Sequence, residues 1–110
     1  MKVAIVGSRG LEVRDFSPFL PKDTCEIISG GAKGIDSCAA EYAKKCGIAL
    51  TEIKPDYKRY SRGAPLMRNK EIVKMADFVL IFWDEKSRGT KFVIDECEKT
   101  DTQYSLHIMK

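Results

Sequence analysis

The stretch VAIVGSRG, residues 3–10, sets the fold, because an apolar strand-like run ends there in a turn with two glycines and an arginine. The pattern recurs in IISGGAKG at 27–34, and in FVLIFW at 78–83 followed after three residues by SRGT. Such a turn between a buried strand and a helix lets backbone N–H groups approach an anion, and the helix N-terminus adds partial positive charge. Parallel strands bring their carboxyl ends to one edge. We therefore expect the three turns to meet and bind a phosphate-bearing small molecule.

Strands and helices alternate along the chain. Strands are predicted at residues 2–7, 25–29, 49–53, 77–83 and 104–109. Apolar residues recur at helical spacing between them, as at Ile72, Val73 and Ala76 ahead of the fourth strand. Right-handed crossovers between continuously apolar strands predict a Rossmann-like α/β fold in three layers, with a five-stranded parallel sheet of order 3-2-1-4-5. At 110 residues, we expect a single domain spanning residues 1–110.

Two connections are less regular. Pro18 and Pro21 interrupt the first, at 11–24, so we predict only a short helical piece around 15–20. The loop at 54–63 interleaves basic and aromatic residues. This composition fits single-stranded nucleic acid, a lid whose tyrosine covers a base, or a solvated loop.

The composition is typical of a soluble globular protein, with 44% hydrophobic and 32% charged residues. The net charge of +3 is too small to indicate nucleic acid by itself. No apolar run approaches the roughly 20 residues of a membrane span, and the N-terminus reads as a strand rather than a signal peptide. We therefore expect a cytoplasmic protein without a membrane partner.

The four cysteines, Cys25, Cys38, Cys46 and Cys97, form no C-x-x-C pair and fall in apolar patterns. Reduced core thiols are the favoured interpretation over a zinc site or disulfides. The one histidine, His107, falls in a strand pattern and is expected to be structural. We predict neither a metal nor a cofactor.

The first two turns differ in what their side chains offer. Ser8 can donate to a phosphate or carboxylate, and Arg9 offers a planar fork for an anion, although an ordinary turn with an exposed arginine reads the same. In the second turn, the paired glycines permit positive φ and a nest of N–H groups. Asp36 is expected to hold that loop by accepting backbone N–H bonds; if it contacts the ligand, a sugar hydroxyl is its natural partner.

Neither a G-x-G-x-x-G fingerprint nor a G-x-x-x-x-G-K-[ST] loop occurs in the chain. A classical dinucleotide dehydrogenase and a P-loop NTPase are therefore not supported.

Arg68 and Asn69 continue the inward stripe of the third helical segment at the end nearest the glycine turns. An inward arginine needs a counter-charge, which could be the ligand, Asp84 or Glu85. Thr90 can cap the last helix or bond a phosphate oxygen. Trp83 can stack on a base or complete the edge of the core.

Together these considerations predict a ligand site, with catalytic residues left unassigned. Its members are Gly7, Ser8, Arg9, Ser29, Gly30, Gly31, Ala32, Lys33, Gly34, Asp36, Arg68, Asn69, Trp83, Ser87, Gly89 and Thr90.

The order of these motifs resembles that of the SLOG superfamily. The likeness lies in VGSRG (6–10), IISGGAKGID (27–36), Y-x-R-G-A-P-L-x-R-N (60–69) and S-x-G-T (87–90). That superfamily groups the Rossmann-like domain of the DNA-processing protein DprA/Smf with the LOG phosphoribohydrolases, and the chain is most similar to its small standalone YspA-like members. The resemblance implies a nucleotide or nucleotide-derived ligand. LOG enzymes place glutamates closely after the glycine-threonine turn, whereas Lys91 and Phe92 follow Thr90 here.

Three functions are compatible with the sequence. A nucleotide-binding sensor or carrier requires no catalytic base. A LOG-like hydrolase of an N-glycosidic or phosphate bond would need a crevice carboxylate, for which the candidates are Asp36, Asp84 and Glu85. DprA-like binding of single-stranded DNA would use the 54–63 loop. A homodimer is a further expected partner, because Phe92 falls outside the inward stripe of the last helix.

Overall fold

The computed structural model describes residues 1–109, so the last residue of the predicted domain lies outside the described residues. The strands are β1 (Lys2–Gly7), β2 (Glu26–Ser29), β3 (Ala49–Glu52), β4 (Phe78–Trp83) and β5 (Tyr104–Ile108). The α-helices are α1 (Ile35–Cys46), α2 (Tyr57–Tyr60), α3 (Ala64–Met75) and α4 (Arg88–Lys99). A short 3₁₀ helix, Ser61–Gly63, joins α2 to α3. The five predicted strands are confirmed, with ends that shift by no more than one residue.

The five strands form one parallel sheet of order β3-β2-β1-β4-β5, which confirms the predicted topology. β1 lies at the centre and pairs with β2 on one side and β4 on the other. β2 and β3 are therefore added on one side of β1, whereas β4 and β5 are added on its other side. A crevice opens at the carboxyl ends of two strands related in this way.

Side chains alternate between the two faces of the sheet and build two cores. On one face, Val6 and Ile81 pack against Ile72 of α3 and Val93 of α4. On the other face, Ile5 and Phe82 pack against α1 and the first connection. Because the strands are apolar on both faces, both layers of helices are needed to cover them.

The predicted helical piece at 15–20 is wrong, because this segment makes a single turn. The carbonyl of Phe16 accepts from the backbone N–H of both Phe19 and Leu20, and the turn stops there. Phe16 is fully buried, with its ring edge-on to Tyr42 and Phe82. Tertiary packing of this ring, together with prolines that cannot donate to a helix, decides the local conformation.

The expected burial of the cysteines holds only in part. Cys97 is buried and Cys38 is half-buried, but Cys25 and Cys46 are exposed. Cys25 precedes β2, where its backbone N–H reaches the carbonyl of Met1, and Cys46 ends α1 on its outer side. All four are free thiols.

The ring of His107 stacks on that of Phe82 at 5.3 Å, in keeping with a structural histidine. Phe92 is half-buried rather than fully on the surface, and the homodimer stays a prediction. Within residues 1–109, every helix is too short or too polar to cross a bilayer.

Candidate functional site

A cavity of about 520 Å³ opens at the carboxyl edge of the sheet, above β1 and β4. The predicted site residues that line it are Gly7, Arg9, Ala32, Asp36, Arg68, Asn69, Ser87, Gly89 and Thr90. They come from all three glycine turns and from the start of α3. The fold thus brings together groups that lie far apart in sequence, at the switch point where α/β proteins bind ligands.

Ser8 joins the first turn to the third instead of lining the cavity. Its side chain is buried, and its Oγ accepts from the backbone N–H of Asp84 at 3.1 Å. Its own N–H donates to the carbonyl of Phe82 at 3.1 Å. Arg9, the next residue, is exposed and lines the cavity. The turn therefore presents one cation from a backbone that β4 holds in place.

The second turn is held from within by two polar side chains. Ser29 Oγ donates to the carbonyl of Asp36 at 3.2 Å and accepts from the N–H of Gly31 at 3.3 Å. Asp36 Oδ2 accepts from the N–H of Ala32 at 3.2 Å, which confirms the predicted loop-holding role of this acid. Gly31 has a φ of 72°, as the glycine pair predicted.

Gly34 fixes the second turn against the first. Its φ is 77° and ψ is −126°, and a Cβ at this position would collide with the backbone of Arg9. Only glycine adopts this conformation readily and allows the approach. The remaining residues of the turn that were predicted to contact ligand do not line the cavity; they are Ser29, Gly30, Gly31, Lys33 and Gly34.

Arg68 reaches across the cavity to the second turn. Its Nη1 donates to the carbonyl of Gly30 at 2.5 Å, and its Nε donates to Asn69 Oδ1 at 2.8 Å. A Cβ on Gly30 would lie 2.7 Å from Arg68 Nη1 and 2.8 Å from Asp36 Oδ2, so the glycine leaves room for both charged groups. Asp36 thus lies beside Arg68, a pairing that sequence reasoning missed.

Burial governs the ionisation of this pair. It raises the pKa of the Asp36 carboxyl, against the opposing effects of the Ala32 N–H and of the charges on Arg68 and Arg9. Burial also lowers the pKa of Arg68, while the Asp36 carboxylate acts in the other direction. An arginine remains protonated at neutral pH even so. The site therefore holds a fixed cation beside a carboxyl that retains its proton more readily than an exposed aspartate.

The side chain of Asp84 holds the third turn by accepting hydrogen bonds from backbone N–H groups within it. Asp84 Oδ1 accepts from the N–H of Lys86 at 2.8 Å and of Ser87 at 2.9 Å, and these bonds lower the pKa of its carboxyl. Ser87 Oγ then accepts from the N–H of Thr90 at 3.3 Å and caps α4. Asn69 Nδ2 donates to the carbonyl of Gly89 at 3.4 Å, linking α3 to this turn.

Trp83 lies at the edge of the core beside α4. Its side chain packs against the cluster under α3 and α4, and Nε1 donates to the carbonyl of Ser87 at 3.0 Å. It is not among the residues that line the 520 Å³ cavity. Stacking on a base stays a prediction, and the observed contacts give this tryptophan a structural role.

Several lining residues escaped sequence reasoning. They are Val6, Gly10, Pro65, Leu66 and Lys86, whereas Asp84 was predicted as a crevice carboxylate and does line the cavity. Lys86 stands inside the turn that Asp84 caps, so its proximity to the SRGT motif was the available signal. Pro65 and Leu66 begin α3 at the same sheet edge, and Leu66 remains 42% exposed.

The chemistry of the cavity suits an anion that carries hydroxyl groups. Arg9, Arg68 and Lys86 supply positive charge, and the N-terminal end of α4 adds the positive end of its dipole. Asp36 supplies an oxygen acceptor. Within residues 1–109, the acids, histidine and cysteines form no group of three that could hold a metal ion.

No family model, curated protein or solved structure matches this chain. The residues and geometry of the cavity therefore provide the evidence on function.

Proposed function

We propose that this protein binds a nucleotide or nucleotide-derived ligand at the carboxyl edge of its sheet, as a sensor or carrier. The observation that carries the proposal is the convergence of the three glycine turns and Arg68 on one 520 Å³ cavity. This volume falls within the range of about 300–1,000 Å³ typical of small-molecule sites.

The phosphate of the ligand belongs near Arg9 and the start of α4. Gly89 and Thr90 line the cavity there, so a phosphate would meet both an arginine fork and the positive end of a helix dipole. Lys86 lies on the same wall. An anion placed here gains charge-assisted hydrogen bonds from a backbone that Ser8 and Asp84 already hold in position.

The sugar belongs near Asp36. Its carboxyl lines the cavity, and a carboxylate accepts hydrogen bonds from ribose hydroxyls. The resemblance of the motifs to those of the SLOG superfamily supports the same ligand class, and we propose membership of that superfamily on this basis.

A hydrolase of the nucleotide is the second candidate, and the raised pKa of Asp36 favours it. A carboxyl that keeps its proton longer than usual can act as a general acid toward a leaving group. Asp84 is less suited to that role, because two backbone N–H bonds stabilise its anionic form. This function requires turnover as well as binding.

A thermal-shift screen of the purified protein with the four 5′-mononucleotides tests the proposal, with each mixture then analysed for released base. A ligand that binds only the folded state raises the melting temperature as it saturates the site. We expect a rise with intact nucleotide, and loss of that rise in Arg9→Ala but not in Arg14→Ala, a matched exposed arginine in the first connection.

Each other outcome has a defined meaning. Released base that disappears in Asp36→Asn would replace the sensor with the hydrolase. A shift with oligonucleotides alone, increasing with their length and falling steeply with salt, would indicate single-stranded DNA binding. No shift with any nucleotide or oligonucleotide would overturn the proposal.

A further inference from the structure

A second and larger cavity, of about 640 Å³, adjoins the first beside α2 and α3. Arg68 lines both cavities. The cations around the second cavity are Lys54, Arg59, Arg68, Lys70 and Lys74. They outnumber its acids, Asp56, Glu71 and Glu96, and Asp56 already accepts from the N–H of Arg59 to cap α2. The basic and aromatic segment 54–63, predicted as a loop, carries α2 and the 3₁₀ helix, and it forms one wall of this cationic cavity.

The same wall carries a surface suited to stacking. The guanidinium of Arg59 lies over the ring of Tyr60, 5.1 Å from its centroid, and both residues line the cavity. An arginine stacked on an aromatic ring offers a flat, cationic platform, and nucleic-acid bases stack on such groups. Tyr60 is half-buried, so its ring is anchored to the fold, while Arg59 above it is exposed and accessible to a ligand.

Arg68 lies at the boundary between the two cavities. On the first side it contacts Gly30 and lies beside Asp36, whose carboxylate favours its charge, and on the other side it lines the second cavity. A guanidinium has more N–H donors than its bonds to Gly30 and Asn69 use. A phosphate at this boundary would therefore meet a cation that both cavities share.

From these observations we propose that the two cavities form one site for a ligand of two nucleotide units joined through phosphate. This inference rests on the proposed function. The first unit occupies the glycine-turn cavity, the linking phosphate meets Arg68, and the second base stacks on the Arg59–Tyr60 platform. Each cavity alone has the volume of a small-molecule site, so a mononucleotide would fill only one of them.

The acids on the second cavity favour a ligand that ends there. Glu71 and Glu96 line it together with the cations, and a carboxylate repels a further phosphate placed beside it. The site is therefore matched to two units rather than to a long strand.

Isothermal titration with 5′-mononucleotides, the homodinucleotides pApA, pGpG, pCpC and pUpU, and the corresponding hexanucleotides tests the inference. For at least one base, we expect the dinucleotide to bind about tenfold or more tightly than the mononucleotide, the effect of one added stacking contact. The hexanucleotide should bind no more tightly than the dinucleotide, because its backbone continues past the second unit.

Arg59→Glu tests whether the Arg59–Tyr60 platform binds the second base. Its side chain is exposed, so the variant is expected to fold, and it should lose the dinucleotide advantage while keeping mononucleotide affinity. Arg14→Glu makes the same charge change in the first connection and should leave both affinities unchanged. Tyr60→Leu tests the platform independently of charge.

The outcomes separate this inference from the proposed function. Equal affinity for mononucleotides and dinucleotides, unaffected by Arg59→Glu, overturns the two-unit site and leaves nucleotide binding intact. Affinity that keeps rising from two to six units overturns the two-unit limit. Absence of binding by every mononucleotide and dinucleotide overturns the proposed function and this inference together.

Discussion

Arg68 shows how one side chain can serve the fold and the site at once. It is half-buried, its charge is favoured by Asp36, and it bonds to Gly30 and Asn69. These contacts restrict its motion before a ligand arrives. A cation already held in place loses less conformational entropy on binding than a free surface arginine does.

We expect Arg68→Ala to weaken nucleotide binding about tenfold to a hundredfold, because a hydrogen bond to a charged group contributes roughly 1.5–3 kcal/mol. The variant should remain folded, since the two cores do not depend on this side chain. Arg68→Lys should give an intermediate affinity, because lysine keeps the charge without the planar fork. Titration calorimetry and circular dichroism provide the measurements. Unchanged affinity with a lowered melting temperature would make Arg68 a structural residue only.

The raised pKa of Asp36 predicts how the stability of the protein depends on pH. Burial raises its pKa above the ordinary 3.8, so the folded protein holds this proton more tightly than the unfolded chain. Stability from this group therefore falls as the pH rises from about 3.8 through the raised folded pKa. The unfolding free energy of the wild type, measured in urea relative to Asp36→Asn, should decrease across that window and level off above it.

Asp84→Asn is the control of opposite sign. The N–H bonds from Lys86 and Ser87 lower the pKa of Asp84, so its stabilising effect is present above the ordinary 3.8 and disappears as the pH falls through the lowered folded pKa. The wild type should therefore gain stability relative to Asp84→Asn as the pH rises. If the unfolding free energy changed with pH in the same direction in both comparisons, burial could not be what sets the pKa of Asp36.

At the scale of elements, the continuous apolar runs predicted the strands because each must be buried on both faces, and right-handed crossovers predicted their order. It failed where a distant contact decides the outcome. Phe16 packs in the core against Tyr42 and Phe82, and because of this packing the segment forms a turn instead of the expected helix. The placement of Asp36 beside Arg68 depends on the packing of α3 across the sheet, and local sequence carries no signal for it.

The interlocking of the first two turns predicts the behaviour of glycine substitutions. Gly34→Ala places a Cβ against the backbone of Arg9 and also forces alanine into a φ of 77°. We expect a loss of roughly 2 kcal/mol or more in stability, with weakened ligand binding as the Arg9 turn shifts. Urea unfolding and titration calorimetry measure the two effects.

Gly47→Ala is the matched control for that experiment. Gly47 ends α1 in the left-handed conformation with a φ of 68°, and a Cβ there would meet nothing within 4 Å. It should cost only about 1 kcal/mol and leave ligand affinity unchanged. Equal effects of the two substitutions would show that the contact between Gly34 and Arg9 does not position the site.

At the scale of the whole molecule, the site lies on the elements that the sheet ties together most extensively. β1 pairs along its length with β4, and the turns that follow these two strands are joined by the bond between Ser8 and Asp84. A ligand bridging these turns would contact both halves of the sheet where β1 and β4 join them. Binding should therefore oppose global unfolding rather than only local opening.

The cysteines make that expectation measurable. Cys97 is fully buried under α4, and burial raises the pKa of its thiol to about 11, so alkylation by iodoacetamide at pH 8 should require unfolding. Cys25 and Cys46 are exposed and should react in the folded protein. With a nucleotide present at about 100 times its Kd, Cys97 labelling, followed by peptide mass spectrometry, should slow about a hundredfold. Labelling at Cys25 and Cys46 should not change. If the ligand raises the melting temperature yet leaves Cys97 labelling as fast as before, this thiol reacts through a local opening that does not disrupt the site, and the coupling of the site to the whole fold is refuted.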